Sequence, residues 1–228
     1  MAETLRDSDF YTRPHLDISA LVTVDLQNDF ALPGGSAFVP GTPEIVPNAA
    51  RLVEAYRRRR LPVVHIVRLY LPDGSNVDNC RRFLVEGGKA IVRPGSDGAE
   101  IVDALKPSPS VRLHGPTLLA GDLQHLGEAE AVIYKPRWGA FYRTRLEEHL
   151  RSLGIDTIVV AGCNYPNCPR ATVYEASERD FRLVLAADAV SGLYERGREE
   201  MAKIGVSLWT TDEIIAALAR IPPKEKNQ

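Results

Sequence analysis

The chain is 228 residues long, roughly one and a half typical domains, so one sizeable domain is expected. Its 28 basic and 30 acidic residues leave a net charge of −2, which argues against a nucleic-acid partner, because that footprint needs a clear excess of Lys and Arg. The 44% hydrophobic and 25% charged residues are an ordinary globular composition, and three cysteines are too few for a disulfide-stapled secreted scaffold.

Residues 1–19 are polar, carry Pro14 and lack an apolar signal-peptide core; they read as an N-terminal arm. Ala20 to Asp25 is a short apolar, β-branched strand that stops at a carboxylate. Ile45, Ala49, Leu52, Val53 and Tyr56 fall at helical spacing between Pro43 and Arg60. Leu61–Val67 reads as a second strand, Ala99–Leu105 as a short helix and Ala131–Tyr134 as a third strand. Residues 106–130 are punctuated by Pro and Gly without a sustained period and read as a loop inserted over a site. Phe141–Leu153 repeats the helical period and stops at Gly154. Thr157–Ala161 is a fourth strand, followed by a helix from about Cys168 to Arg179, a strand at Arg182–Ala187 and helices near 195–204 and 211–220.

Continuously apolar strands alternating with amphipathic helices predict an α/β fold, a three-layer αβα arrangement around a mainly parallel sheet. One domain is expected over 20–220, with a polar tail at 221–228. The longest apolar stretches fall far short of the roughly 18 residues that span a bilayer, so no membrane association is expected, and the protein is expected to be cytoplasmic.

In an open parallel sheet, ligands gather beyond the carboxyl ends of the strands. Asp25 ends the first strand, Lys135 ends the third, and the fourth leads through Gly162 into Cys168. A carboxylate, an ammonium and a thiol thus converge on one edge from distant segments. Pro169 favours a first helical position, which places Cys168 at the N-cap, where the helix dipole and Lys135 lower a thiol pKa. Asp25 is then a base for the thiol proton. The competing reading is a buried inert cysteine and a loop-capping Asp25.

The elements Asp25-Leu-Gln-Asn-Asp-Phe30, Lys135-Pro-Arg-Trp-Gly-Ala-Phe141, Gly162 through Cys168 and Ala187-Asp188-Ala189 resemble the isochorismatase-like cysteine hydrolases, in order and spacing, across about residues 18–215. That resemblance implies a six-stranded parallel sheet with helices on both faces. It also implies an Asp25, Lys135 and Cys168 triad, with an oxyanion hole from the Asn164 and Cys168 N–H groups. A non-proline cis peptide is implied near Cys163–Asn164, with Tyr165–Pro166 as the alternative place. This chain departs from the pattern in reading Asn164-Tyr165-Pro166-Asn167 where most relatives carry a Thr.

The implied function is hydrolysis of a C–N bond in a small amide, ureido or carbamoyl compound through a Cys168 thioester. The alternatives are vinyl-ether hydrolysis by acid catalysis from Asp25, as in isochorismatases, and a non-catalytic binding protein. Gln27, Phe30 and Trp138 follow motif residues and are expected at the substrate. The metal-binding branch of the family carries an Asp-x-His pair after the second strand; His65 to Asp73 has none, so no metal and no cofactor are expected. His65 reads as a hydrogen-bonded core histidine, Asp29 as a loop-bracing carboxylate, and Arg137 and Arg170 as surface cations. The expected partners are a small-molecule substrate and further copies of the chain, as a homodimer or homotetramer.

Overall fold

The structure, a computed structural model, describes residues 10–221. In chain order it runs β1 (Ser19–Val24), α1 (Asn28–Ala31), α2 (Thr42–Arg59), β2 (Val63–Val67), α3 (Asn79–Glu86), α4 (Gly115–Leu119), β3 (Gln124–Gly127) and β4 (Glu130–Tyr134). It continues with α5 (Leu146–Ser152), β5 (Thr157–Gly162), α6 (Cys168–Ser177), β6 (Arg182–Val190), α7 (Glu195–Lys203), β7 (Ser207–Trp209) and α8 (Thr211–Ala219). The strands form one sheet in the order β3-β4-β2-β1-β5-β6-β7. All neighbours are parallel except the β3–β4 edge pair.

Successive strand residues point to opposite faces, and the two cores divide on that period. Leu21, Val159 and Val184 pack with Ala49, Leu52 and Val53 of α2 and Ile214 of α8. Their neighbours Ala20, Val22, Ile158 and Leu183 pack with Leu146 of α5, Val173 of α6 and Met201 of α7. Because both faces are covered, β1 and β5 are buried along their whole lengths, which is why their sequences are apolar without alternation.

Several elements differ from the sequence reading. The sheet has seven strands where six were implied. The expected loop at 106–130 contains α4 and the antiparallel edge strand β3, four residues with only alternate burial. The three-residue β7 is equally short of periodic signal. The expected helix at Ala99–Leu105 is two 3-10 turns flanking Ile101, which bridges Gln27 instead. The helix expected from Phe141 begins only at Leu146, after Arg143 takes a positive φ of 52° that no helix accommodates. α3 lies in a polar segment that carries too few apolar residues to show its period.

Of the expected arm, residues 1–9 lie outside the described residues; residues 10–15 are tied down by Arg182, which donates to the carbonyls of Phe10 and Arg13 at 2.9 and 2.8 Å. Of the expected tail only Ile221 is described, and 222–228 lie outside. Among the described residues no helix is long and apolar enough to cross a membrane.

A buried polar network ties α2 to the sheet. His65, on β2, takes Thr23 Oγ1 at 2.8 Å with Nδ1 and Glu130 at 3.0 Å with Nε2. Arg57, from the last turn of α2, donates to both Glu130 oxygens at 2.8 and 2.7 Å. Burial alone raises a carboxyl pKa, but the Arg57 and His65 bonds outweigh it and hold Glu130 at about 2, from an ordinary 4.5. A carboxylate with a depressed folded pKa stabilises the fold above its unfolded value and loses that contribution as the pH falls through the folded one. The stabilisation is roughly 3 kcal/mol, complete above about pH 5 and lost toward pH 2. Urea unfolding of the wild type and Glu130→Gln tests this: the stability gap between them at pH 7 is expected to close by about that amount at pH 2–3, and a gap independent of pH would refute it.

Candidate active site

Three of the site segments leave the sheet on ladder hydrogen bonds. The Asp25 N–H donates to Ile66 O at 2.9 Å, the Lys135 N–H to Val67 O at 3.0 Å and the Cys163 N–H to Val24 O at 2.9 Å. Asp25 turns off β1 with φ 53°, a left-handed conformation that a non-glycine residue holds at a cost of about 1–2 kcal/mol. β5 passes so close to β1 that a Cβ on Gly162 would lie 2.2 Å from Val24 O, and only glycine fits. The Cys163–Asn164 peptide is cis, at the first of the two expected places. Tyr165 N–H then donates to Ser191 O at 2.7 Å, and Asn167 N–H to Asn164 O at 3.0 Å. Cys168 is the first residue of α6; the N-cap is Asn167, one residue earlier than expected.

Lys135 is fully buried, and its ammonium donates to Asp25 Oδ2 at 2.8 Å, Trp138 O at 3.0 Å and Arg137 O at 3.3 Å. All three N–H bonds are thereby satisfied, the condition under which a buried cation is tolerated. Asp25 Oδ1, also buried, has no hydrogen bond of normal geometry. Its electrostatic neighbour is the Cys168 thiol, itself 3% exposed.

On the other flank stands Arg68, the first residue after β2. It is fully buried; Nη1 is paired with Asp78 and donates to Tyr70 Oη at 3.3 Å, and Nη2 lies 3.7 Å from Cys168 Sγ. Asp78 also accepts from Tyr70 Oη at 2.8 Å. Burial works against the Arg68 charge, but Tyr70, Asp25, Cys168 and Asp78 together hold it firmly cationic. Two buried ion pairs, Lys135–Asp25 and Arg68–Asp78, thus border one thiol.

The expected lowering of the thiol pKa is not what this setting gives. Burial and the Asp25 carboxylate push the Cys168 thiol up; Lys135 and Arg68 pull it down without overturning them. The resting pair is a neutral thiol beside a carboxylate. Cys163, deeper in the same segment, is pushed up to about 12, chiefly by burial.

The remaining sequence expectations divide. Neither the Asn164 nor the Cys168 backbone N–H is taken by a protein acceptor among the described residues, which leaves both free to donate. Phe30 is buried on α1 beside the Arg81 guanidinium, 5.7 Å from its ring centroid, and Trp138 is 40% exposed. Gln27 is buried, and its amide donates to Arg68 O at 2.8 Å and Ala99 O at 2.6 Å and accepts from Arg68 N–H at 2.7 Å. With both amide hydrogens on backbone, Gln27 fixes the Arg68 segment. Asp29 braces loops through Ser36 N–H and Val92 N–H. Arg170 pairs with Glu200 at 2.8 Å, and Arg137 donates to backbone carbonyls.

Arg68 and Asp78 were missed by sequence reasoning. The rule that singled out Asp25 and Lys135, a polar residue just past a strand's carboxyl end, applies equally to Arg68. Among the described residues, no group of three or more His, Cys, Asp or Glu side chains is arranged to hold a metal ion.

A family model described as the isochorismatase domain matches residues 19–114 and 116–213. A protein described as a probable inactive nicotinamidase, from Arabidopsis thaliana, is 32% identical over 88% of this chain and 96% of its own. N-carbamoylsarcosine amidase from an Arthrobacter species is 28% identical over 90% of this chain and 73% of its own. Among solved structures, an isochorismatase family protein from Desulfovibrio vulgaris superposes with a TM-score of 0.75 at 33% identity, covering 89% of this chain and 99% of that one.

The charge balance at Cys168 has a measurable consequence. In Asp25→Asn the residue still accepts from Lys135 but no longer repels a thiolate, so the thiol pKa falls. Alkylation of Cys168 by iodoacetamide at pH 7, followed by mass spectrometry against the exposed Cys80 as internal reference, is expected to accelerate about tenfold for each unit the pKa drops. Unchanged or slower labelling would contradict the assignment of Asp25 as the group that raises it.

Proposed function

We propose that this chain, which belongs to the isochorismatase-domain family of hydrolases, is a cysteine-dependent amidohydrolase acting on a small amide, ureido or carbamoyl compound. The observation that carries the reading is the free Asp25 Oδ1. A buried carboxylate with one oxygen fixed by Lys135 and the other unpartnered beside a thiol has the geometry of a base awaiting a proton.

Asp25 takes the Cys168 proton as the sulfur attacks the carbonyl carbon. The oxyanion of the tetrahedral intermediate accepts from the Asn164 and Cys168 N–H groups, each such donor contributing about 10²–10³ in rate. Asp25 returns the proton to the departing amine, leaving a Cys168 thioester. Water, deprotonated by Asp25, then attacks the thioester carbonyl; the C–S bond breaks to release the acid, and Asp25 returns the proton to the Cys168 sulfur. Lys135 keeps Asp25 oriented through the cycle, and Arg68, with Nη2 on Sγ, stabilises the negative sulfur as it forms. The raised thiol pKa fits this scheme, because the proton has to be on sulfur at the start and available to the leaving group later.

The name of the Arthrobacter relative, a carbamoyl-compound amidase, supports the C–N bond as the target. The description of the Arabidopsis relative as inactive makes the test of activity direct. Ammonia release from a panel of small primary amides and carbamoyl compounds is expected to fall by about 10³-fold or more in Cys168→Ala, with folding checked by circular dichroism. Turnover that survives in Cys168→Ala and disappears in Asp25→Asn, measured on a vinyl ether, would instead establish acid catalysis by Asp25.

A further inference from the structure

Among the described residues four buried side-chain polar atoms have no hydrogen-bond partner, and two of them, Asp25 Oδ1 and Arg68 Nε, belong to the site described above. The role of Asp25 as base accounts for the first. The second is a donor on a fully buried cation that the scheme so far uses only through Nη2. A guanidinium is planar, and its Nε–H and one Nη2–H project in parallel from the same edge as the two prongs of a fork. The other end is fixed: Nη1 is paired with Asp78 and donates to Tyr70 Oη, while Gln27 holds the Arg68 backbone through both its N–H and its C=O. Asp78 is the N-cap of α3, where an aspartate ordinarily accepts from the helix's own N–H groups, yet its carboxylate makes no such bond and serves Arg68 and Tyr70 instead. The forked edge therefore has Nη2 at 3.7 Å from Cys168 Sγ and Nε–H without an acceptor. A buried donor left unpaired is costly, so its persistence beside a nucleophile points to an acceptor that arrives during the reaction.

Resting on the amidohydrolase reading, we propose that Arg68 is a catalytic residue of the second half-reaction, in which its Nε–H holds the hydrolytic water beside the Cys168 thioester. The two unpartnered atoms are complementary, since Oδ1 accepts a hydrogen bond and Nε donates one. The carbonyl oxygen of the acyl group is taken by the Asn164 and Cys168 N–H groups, so it is not the acceptor that Nε lacks. Water supplies both missing halves, a lone pair for Nε–H and an O–H for Asp25 Oδ1. Its oxygen attacks the thioester carbonyl carbon as its proton passes to Asp25. The C–S bond then breaks with its electron pair on sulfur, and Asp25 returns the proton there. Arg68 gains and loses no proton and acts only as a donor. One edge of one guanidinium thus serves both halves of the reaction, with Nη2 on the sulfur and Nε on the nucleophile that displaces it.

The test separates the two half-reactions, using the amide of the panel above that the wild type turns over fastest. Acid quench of a single turnover, with peptide mass spectrometry of Cys168, reads formation and decay of the acyl adduct independently. Arg68→Lys keeps the charge beside the sulfur and loses the fork. In that variant the adduct is expected to form within about tenfold of the wild-type rate and to decay about 10²-fold more slowly. Because acyl-enzyme then accumulates, kcat is expected to fall together with KM. Hydroxylamine, a stronger nucleophile than water, is expected to restore turnover as the hydroxamate. The double variant Arg68→Met/Asp78→Leu removes the ion pair as a unit, which a buried site tolerates better than the loss of one partner, and is expected to show the same slow decay. Decay at the wild-type rate in both variants, with formation alone slowed, would overturn the assignment while leaving the hydrolase reading intact. Product formation with no adduct in the wild type or either variant, or no turnover with any amide, would overturn both.

Discussion

A lysine ammonium removed entirely from water has few stable arrangements. Lys135 takes one of them, with a carboxylate and two backbone carbonyls satisfying its three donors. That requirement sets much of the site. It uses Asp25 Oδ2 and so leaves Oδ1 as the reactive oxygen. It pulls the 135–138 turn inward, so that the carbonyls of Arg137 and Trp138 face the ammonium. It also requires Asp25 to leave β1 in a left-handed conformation, tethered by its N–H to β2. The second ion pair, Arg68–Asp78, follows the same logic on the opposite flank, and Gln27 locks its backbone in place from the segment just after Asp25.

The parallel sheet makes this economical. β1 lies at its centre, between β2 and β5, so the residues following the three strands emerge side by side although they are far apart in sequence. The Asp25, Lys135 and Cys163 N–H groups each make a bond to a neighbouring strand, so the rigidity of the sheet is passed directly to the reacting groups. The loop from Cys163 to Asn167 is then clamped by Ser191 and by Tyr165, whose hydroxyl donates to Gly197 O at 2.9 Å. A side chain at Gly197 would collide with the Tyr165 ring, so the clamp needs glycine there.

The parts legible in sequence were those with local physical signatures. Five strands announced themselves as apolar β-branched runs, and α2, α6, α7 and α8 through period or stop signals. Asp25, Lys135 and Cys168 were found because they end strands or open a helix. What escaped lacked such signals. β3 and β7 are the two edge strands, of four and three residues, half buried, with no run to detect. Arg68 was hidden by its own setting, a long cation on an apolar strand end, interpretable only once Asp78 is placed beside it by α3. The thiol pKa was misjudged for a related reason: helix position and Lys135 are visible in sequence, whereas the depth of burial and the closeness of Asp25 are properties of the assembled site.

The central claim is that Cys168 carries the acyl group between the two halves of the reaction. Acid quench during steady turnover, followed by peptide mass spectrometry, measures this directly. The account predicts an adduct of the acyl mass on the peptide bearing Cys168, sensitive to hydroxylamine and present only while substrate remains. Rapid product formation with Cys168 unmodified at every quench time would contradict it.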